Sequence, residues 1–431
     1  MRFIFSIFCL STLIGNSKAQ ENWPQFRGPS GDGHAESKNL PLTWSEKENI
    51  RWKTPIHDKG WSSPVIWGNQ IWLTTAHEKY AANAPKENAQ RKVPRPEFVE
   101  FYAVCIDRKT GKILHDLIVF KEENPDYCHS FNSYATPTPV VEAGRVFVHF
   151  GAHGTACLDT TTGKKLWEQR DLKCDHWRGP GSSPITDDKA LFLTFDGYDQ
   201  QYVAALDKNT GKILWKKDRL IKYTSNNGDL KKAYSTPTLV TIDGKPQLIS
   251  PAAEATIAYD PANGNELWRI ATGGMNQAAK PIVGHGLIYL TTGHSQGMIA
   301  MKEGSGGQIP SSQIAWKMIK NVPTRPSFLL QEDYIYMVSD NGFASCVNAK
   351  TGSQVWVERF NASFSASPII AHNTIYIPDQ EGTTQVFAAT PEFKSLAKNK
   401  LDSGCMASPA VAGEAIFLRT KTHLYCIEKK S

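Results

Sequence analysis

Excess charge is scarce in this chain: 48 Lys and Arg face 42 Asp and Glu, a formal balance of +6 over 431 residues. The basic pairs Lys216-Lys217 and Lys231-Lys232 are offset by nearby Asp218 and Asp229. That pattern excludes a polybasic arm, so no nucleic-acid partner is expected. Long apolar runs are equally scarce. Beyond the first twenty residues none approaches the ~18 apolar residues a bilayer-spanning helix needs, so no membrane span is expected. Also missing are a Gly-x-Ser-x-Gly elbow, a His-Glu-x-x-His helix and an Asp-x-Asp-x-Asp-Gly calcium loop. Lys302 to Gly307 is glycine-rich but lacks the Gly-Lys-Ser/Thr context of a phosphate cradle, and reads as a loop. Disorder is excluded as well, because 40% of residues are hydrophobic and 10% aromatic. The twelve tryptophans call for an explanation.

The N-terminus reads as a secretory signal over residues 1–19. Met1-Arg2 is a charged start, Phe3 to Ile14 an apolar run, and Ser17-Lys18-Ala19 has small residues where signal peptidase cleaves. Cleavage after Ala19 removes Arg2 and Lys18 and lowers the balance to +4. The mature chain is expected to be periplasmic or secreted. Phe8 precedes Cys9, where a lipoprotein signal needs a small residue, so no lipid anchor is expected.

A repeat runs through the rest. A small residue and Pro open a short apolar stretch; two alternating strands follow, the second ending in Asp-x-x-Thr-Gly, and a Trp comes four residues after that Gly. The clearest copies start at Thr136-Pro137, Ser183-Pro184 and Thr236-Pro237; weaker ones start at Pro64, Pro281, Pro326, Pro368 and Pro409. After a first interval of 73 residues the prolines recur every 41 to 53, the period of a four-stranded propeller blade. An insertion in blade one, bounded at 77–99, accounts for the long first interval. The fold class expected is therefore all-β: one eight-bladed propeller over residues 49–431, preceded by an extension over 20–48. The last copy ends near Ile427 without a Trp-bearing outer strand. Asn49 to Lys53, which carries Trp52, supplies the missing piece, so the N-terminal segment should pair with the last blade and close the ring. His115 stands where blade one's tryptophan would be. A monomer is expected.

The Pro-opened strands and the Ala204 to Trp215 ending resemble the pyrroloquinoline-quinone (PQQ) type propeller repeat. Trp23 to Pro29 and Asn132 to Pro137 are similar to exported bacterial PQQ-like proteins, many from planctomycete-type genomes. The resemblance extends to quinoprotein alcohol dehydrogenases and to the outer-membrane barrel-assembly lipoprotein. The first implies PQQ and Ca²⁺ in the central funnel, a vicinal disulfide, Glu and Asn calcium ligands and an Asp base. No two cysteines are adjacent here, and none of those residues can be matched, so no catalytic role carries over. The second implies a scaffold without catalysis. The function expected is accordingly a non-catalytic binding or scaffold module for a protein, cell-envelope or small-ligand partner. The alternatives are a PQQ-dependent oxidoreductase and a scaffold in outer-membrane protein assembly.

Candidate site residues follow from the repeat. Cys105, Cys157, Cys346 and Cys426 occupy a strand position held by Ala205, Ala258, Ala300 and Ala388 in other blades, and read as small core residues. Cys128 and Cys174 lie in equivalent loops and form a candidate disulfide. With His129, His153 and His176 they also make a thiol and imidazole set suited to zinc or copper, although the spacing matches no compact motif and no metal is assigned. Trp61, Tyr134, Trp177, Arg178, Tyr234, Lys280, His294 and Arg325 are placed on the same funnel face. Aromatic faces with Arg and Lys suit a planar anion such as PQQ. The same side chains also suffice to fill and solvate the mouth.

Overall fold

The computed structural model describes residues 21–82, 94–294, 297–304 and 306–429. The expected signal segment and the middle of the 77–99 insertion lie outside the described residues. Eight separate antiparallel sheets follow one another along the chain, each with four strands hydrogen-bonded in sequence order except the last. Blade two is representative, with strands Val140–Glu142, Arg145–His149, Thr155–Asp159 and Lys165–Gln169. Val146, Phe147 and Val148 are all fully buried, because each blade is covered on both faces by its neighbours. The hydrophobic core is accordingly distributed between blades, as in the cluster joining Phe147 and Trp167 to Leu191 and Leu193 of the next sheet. No described helix is long and apolar enough to cross a membrane.

The repeat's polar ending sets the outer turn. Asp207 Oδ1 accepts the backbone N–H of Asn209 and Thr210 and the Thr210 hydroxyl, and Asp107 and Asp159 repeat the pattern. The glycine that follows has a second reason to be bare: a methyl on Gly264 would stand 2.6 Å from the Trp215 ring of the preceding blade. The indole also bonds across the seam. Trp167 Nε1 donates to Lys208 O at 2.8 Å and Trp215 Nε1 to Pro261 O at 3.0 Å. Trp167 and Trp215 are thus stacked on and bonded to the next blade's turn, combining large apolar burial with a satisfied N–H, whereas Trp268 Nε1 bonds Gln247 Oε1 of its own blade.

Ring closure follows the expectation. Ile50–Pro55 pairs antiparallel with His423–Ile427, with Trp52 opposite Cys426. That register matches Trp167 opposite Cys157, Trp215 opposite Ala205 and Trp356 opposite Cys346, so these cysteines do occupy the alanine position. Trp52 Nε1 then bonds Arg108 O of blade one, and His115 faces Cys105 where a tryptophan would stand.

Several expectations need correction. The inner edge is phased by a hydroxyl rather than by Pro: blade two starts at Thr138-Pro139, one Thr-Pro later than expected, and blade six at Ser327-Phe328 rather than at Pro326. In blade seven Val386, not Ala388, faces the outer strand at Ala397. The insertion is narrower than 77–99, since strands Gln70–Lys79 and Phe98–Asp107 stay paired out to Lys79 opposite Phe98. The glycine-rich segment after Lys302 leads into a fifth strand, Gly307–Ile309, laid parallel on blade four. The extension packs onto the ring: Trp23, Arg27 and Trp44 are buried, and His34–Ala35 adds a strand to blade seven.

Candidate functional site

The site is built by the residues that enter each blade. At the head of the innermost strands a backbone N–H donates to the side-chain hydroxyl of the next blade. Ser63 bonds Thr138, Thr138 bonds Ser183, and Ser183 bonds Thr236. Lys280 bonds Ser327, Ser327 bonds Ser367, Ser367 bonds Ser408, and Ser408 returns to Ser63, all at 2.8–3.0 Å. This belt circles the channel with one gap, where Lys280 offers Thr236 no acceptor.

Below the belt the N-terminal segment crosses the channel. Trp23 exchanges backbone hydrogen bonds with Ile66 of blade one, and Pro24 O accepts from Val141 of blade two. Arg27 reaches Pro368 O and Phe328 O of blades seven and six. Gly28 takes a left-handed φ of 82° and packs on the Trp23 ring, turning the segment across. Lys280 points down to this strap, beside Gly31, and not into the funnel. It is 3% exposed, and burial, reinforced by the Arg27 charge, lowers its pKa to about 7.

Above the belt the channel opens into a cavity of about 690 Å³, with Phe26 of the strap among its lining residues. The position two residues before each belt residue lines it in all eight blades: Trp61, Thr136, Gly181, Tyr234, Ala278, Arg325, Ser365 and Met406. His129, Phe131 and Arg178 from the entry loops join them, as do His294 and Asp340 from loops between second and third strands. The Arg325 guanidinium lies 4.7 Å from the Phe131 ring centre, so groups from blades on opposite sides meet across the mouth. Asp340 is held on both oxygens, by Arg325 Nε at 2.5 Å and by the Thr324 N–H at 2.6 Å.

Of the expected site residues, Trp61, His129, Arg178, Tyr234, His294 and Arg325 line the cavity. The others lie elsewhere. Tyr134 is 1% exposed and packs edge-on against Phe101, and His153 packs against both rings in the same interior. His176 turns inward to accept the Ala152 N–H at 3.0 Å. Burial lowers the pKa of His153 to about 3 and of His176 to about 4, leaving both neutral. Trp177 lies outside the cavity lining, 40% exposed, its ring tilted against Tyr198 at 5.3 Å and its backbone at a φ of 58°.

The candidate disulfide is not formed. Cys128 and Cys174 are free thiols; Cys128 contacts Arg178 O, while Cys174 contacts the His176 ring. Burial raises both thiol pKa values. Among the described residues no three His, Cys, Asp or Glu side chains are grouped to hold a metal ion. Sequence reasoning missed Phe26, Phe131, Asn276 and Asp340. Asn276 had a usable signal, lying two residues before Ala278, but Phe26 enters from a segment that the repeat does not include.

Comparison with known proteins agrees with this geometry. The family model for outer membrane protein assembly factor BamB matches residues 101–198 and 199–431. Tetrathionate hydrolase of Acidithiobacillus ferrooxidans is 22% identical over 75% of this chain and 63% of its own length. Quinoprotein ethanol dehydrogenase of Pseudomonas aeruginosa is 30% identical over 30% of this chain and 22% of its own. The chain therefore spans less than two thirds of the length of these relatives. Among solved structures, the quinohemoprotein alcohol dehydrogenase of Comamonas testosteroni superposes with a TM-score of 0.64 at 10% identity, covering 97% of this chain and 82% of that one. That likeness shows a shared fold. The family match spans most of the chain and takes in blades two to seven whole and all of blade eight but its closing strand, so the protein belongs to the PQQ-type propeller family described by outer membrane protein assembly factor BamB.

Proposed function

We propose that the protein is an exported, non-catalytic propeller that uses its funnel mouth to hold a partner. The observation that carries this reading is the state of Asp340, the one carboxylate among the described lining residues. Its oxygens accept from Arg325 Nε and the Thr324 N–H, so its charge is already countered within the wall by the Arg325 guanidinium. Outside the cavity, burial favours the neutral forms of the Cys128 and Cys174 thiols and of the His153 and His176 imidazoles.

The same residues do not suit a PQQ and calcium centre. Arg178, Arg325 and the rings of Trp61, Phe131 and Tyr234 could face a planar anion. The divalent cation has no ligand set among the described residues, so the pair does not fit and no step is routed through it. The experiment is a dye-linked dehydrogenase assay with added PQQ and Ca²⁺ over a panel of alcohols. No turnover is expected; turnover dependent on PQQ overturns the reading in favour of the oxidoreductase. The family description favours a second, assembly-type scaffold role. Co-purification with outer-membrane assembly complexes would support that role, and its loss on altering the funnel loops would place the contact on this face.

A further inference from the structure

The joint between the closing strand and the funnel wall is held by a group of titratable side chains. Ile50–Pro55 completes blade eight, and beyond residues 56–60 the chain reaches Trp61 at the cavity. That linker is laid against blade one. Ile56 N–H still donates to Thr422 O of blade eight, but Lys59 and Ala76 of blade one exchange backbone hydrogen bonds, and the Thr75 hydroxyl donates to His57 O. The His57 ring stands edge-on to Tyr102 at 4.9 Å. Its Nδ1 lies 2.6 Å from Asp58 Oδ2, and its Nε2 lies 3.0 Å from Asp116 Oδ1 on the outer strand Ile113–Glu123. The other oxygen of Asp58 accepts from His77 Nδ1 at 2.8 Å.

Two carboxylates can be served at once only by two N–H groups. A neutral imidazole has one, so the His57 geometry is that of the imidazolium. His77 differs, because its single bond to Asp58 needs only one N–H. Around His57 the ionisable groups are Asp58 on the linker, Asp116 on the outer strand, His77 beyond Asp58, and Tyr102, whose hydroxyl donates to Glu100. Lys59 turns instead to Ser130 O. Burial opposes a charge on His57, yet the hydrogen bonds to Asp58 and Asp116 outweigh it and raise its pKa above 6.5. Asp58 itself takes a left-handed φ of 57°, which costs energy in a residue with a Cβ and is held here by bonds to both its oxygens.

We propose that His57 is a proton-operated clasp on the ring's closing joint. As the imidazolium it fastens the linker to Asp116 of blade one. When the proton leaves to solvent, one of the two carboxylate bonds is lost, and the linker that carries Trp61 loosens. The sign follows from linkage. The folded pKa lies above the unfolded one, so the clasp contributes fully below the unfolded value and its contribution is lost as pH rises through the folded value.

The test is hydrogen exchange of the full chain between about pH 6 and about pH 8.5, read as protection factors corrected for the intrinsic rate. A local readout is needed because Lys280, with its pKa lowered, acts on global stability in the opposite sense. Protection of the Ile56, Lys59 and Ala76 amides should fall at least about 3-fold across that range. The Phe364 amide, which bonds Asp340 O in the linker of blade seven, should not follow. His57→Gln should abolish the fall. Asp116→Asn keeps an acceptor but not the charge, and should move the midpoint of the fall to lower pH; a merely structural aspartate would change protection at every pH and leave the midpoint in place. The proposal is overturned if the three amides are equally protected at both ends of the range, if His57→Gln retains the fall, or if Asp116→Asn leaves the midpoint unmoved.

Discussion

The two ends of the channel are built on opposite terms. Below the belt, the strap carrying Trp23 and Arg27 fills the passage with buried side chains and is hydrogen-bonded to four blades, through its backbone and through the Arg27 guanidinium. Above it, the same eightfold framework holds a cavity whose wall differs in every blade, from Gly181 to Trp61. One end is spent on stability and the other is left open for contact. The difference shows which side chains of a repeat are free: those two residues before the belt differ in every blade, while their backbones still bond across the seam, as Trp61 N–H does to Ala135 O and Tyr234 N–H to Gln277 O.

That contrast can be broken most strongly with one residue type. Trp23→Ala removes a fully buried ring from the strap and is expected to cost about 3–5 kcal/mol, seen as a fall in Tm. Trp61→Ala at the open end should cost under about 1 kcal/mol while removing a fluorescent reporter from the funnel. Equal losses at the two ends would contradict the division of labour.

Lys280 comes next. Its pKa is lowered from 10.5 to about 7 in the fold, chiefly by burial. Between those values the unfolded chain holds a proton that the folded chain has shed, so stability rises with pH across that window and the contribution is absent below it. Lys280→Ser supplies the belt's missing hydroxyl and removes a buried cation. It should raise stability by about 1–3 kcal/mol and flatten the rise above pH 7, both readable by denaturant unfolding at several pH values. A destabilised variant would show that the ammonium anchors the strap.

Smaller effects sharpen the funnel side. Asp340→Asn weakens the hold on Arg325 and should change stability by less than about 1 kcal/mol, seen as a small shift in Tm. Finally, mass analysis under non-reducing, denaturing conditions should find Cys128 and Cys174 as free thiols. In the native protein, burial should make both slow to react with a thiol reagent.

The architecture was legible because one signal recurs in every blade. Tryptophan after Thr-Gly fixed both the outer strands and their register, and it located Trp52 as the closing strand's residue even though its partner lies at the far end of the chain. The site was legible only where the phase was right. Trp61, Tyr234 and Arg325 were found because they precede the belt by two, whereas the doubled Thr-Pro at 136–139 slipped blade two and put Tyr134 in the funnel instead of Thr136. Lys280 was misplaced for another reason: it occupies the belt position itself, and only contacts with Gly31 and Arg27 show that it turns downward. Phe131 and Asp340 reach the mouth from loops of irregular length, where periodicity gives no register.

The closing strand also dictates an order of events. Arg51 pairs with Glu428, 377 residues away along the chain, and Ser408 bonds Ser63 across 345. The segment made first during synthesis finds its sheet partner only after the last blade exists. Seven blades must therefore persist with an unfinished seam, and completion is a single late, long-range event of the kind that slows folding. A ring of this design is sensitive to truncation at either terminus, and its final step is the moment at which a folding helper or a competing strand would have its effect.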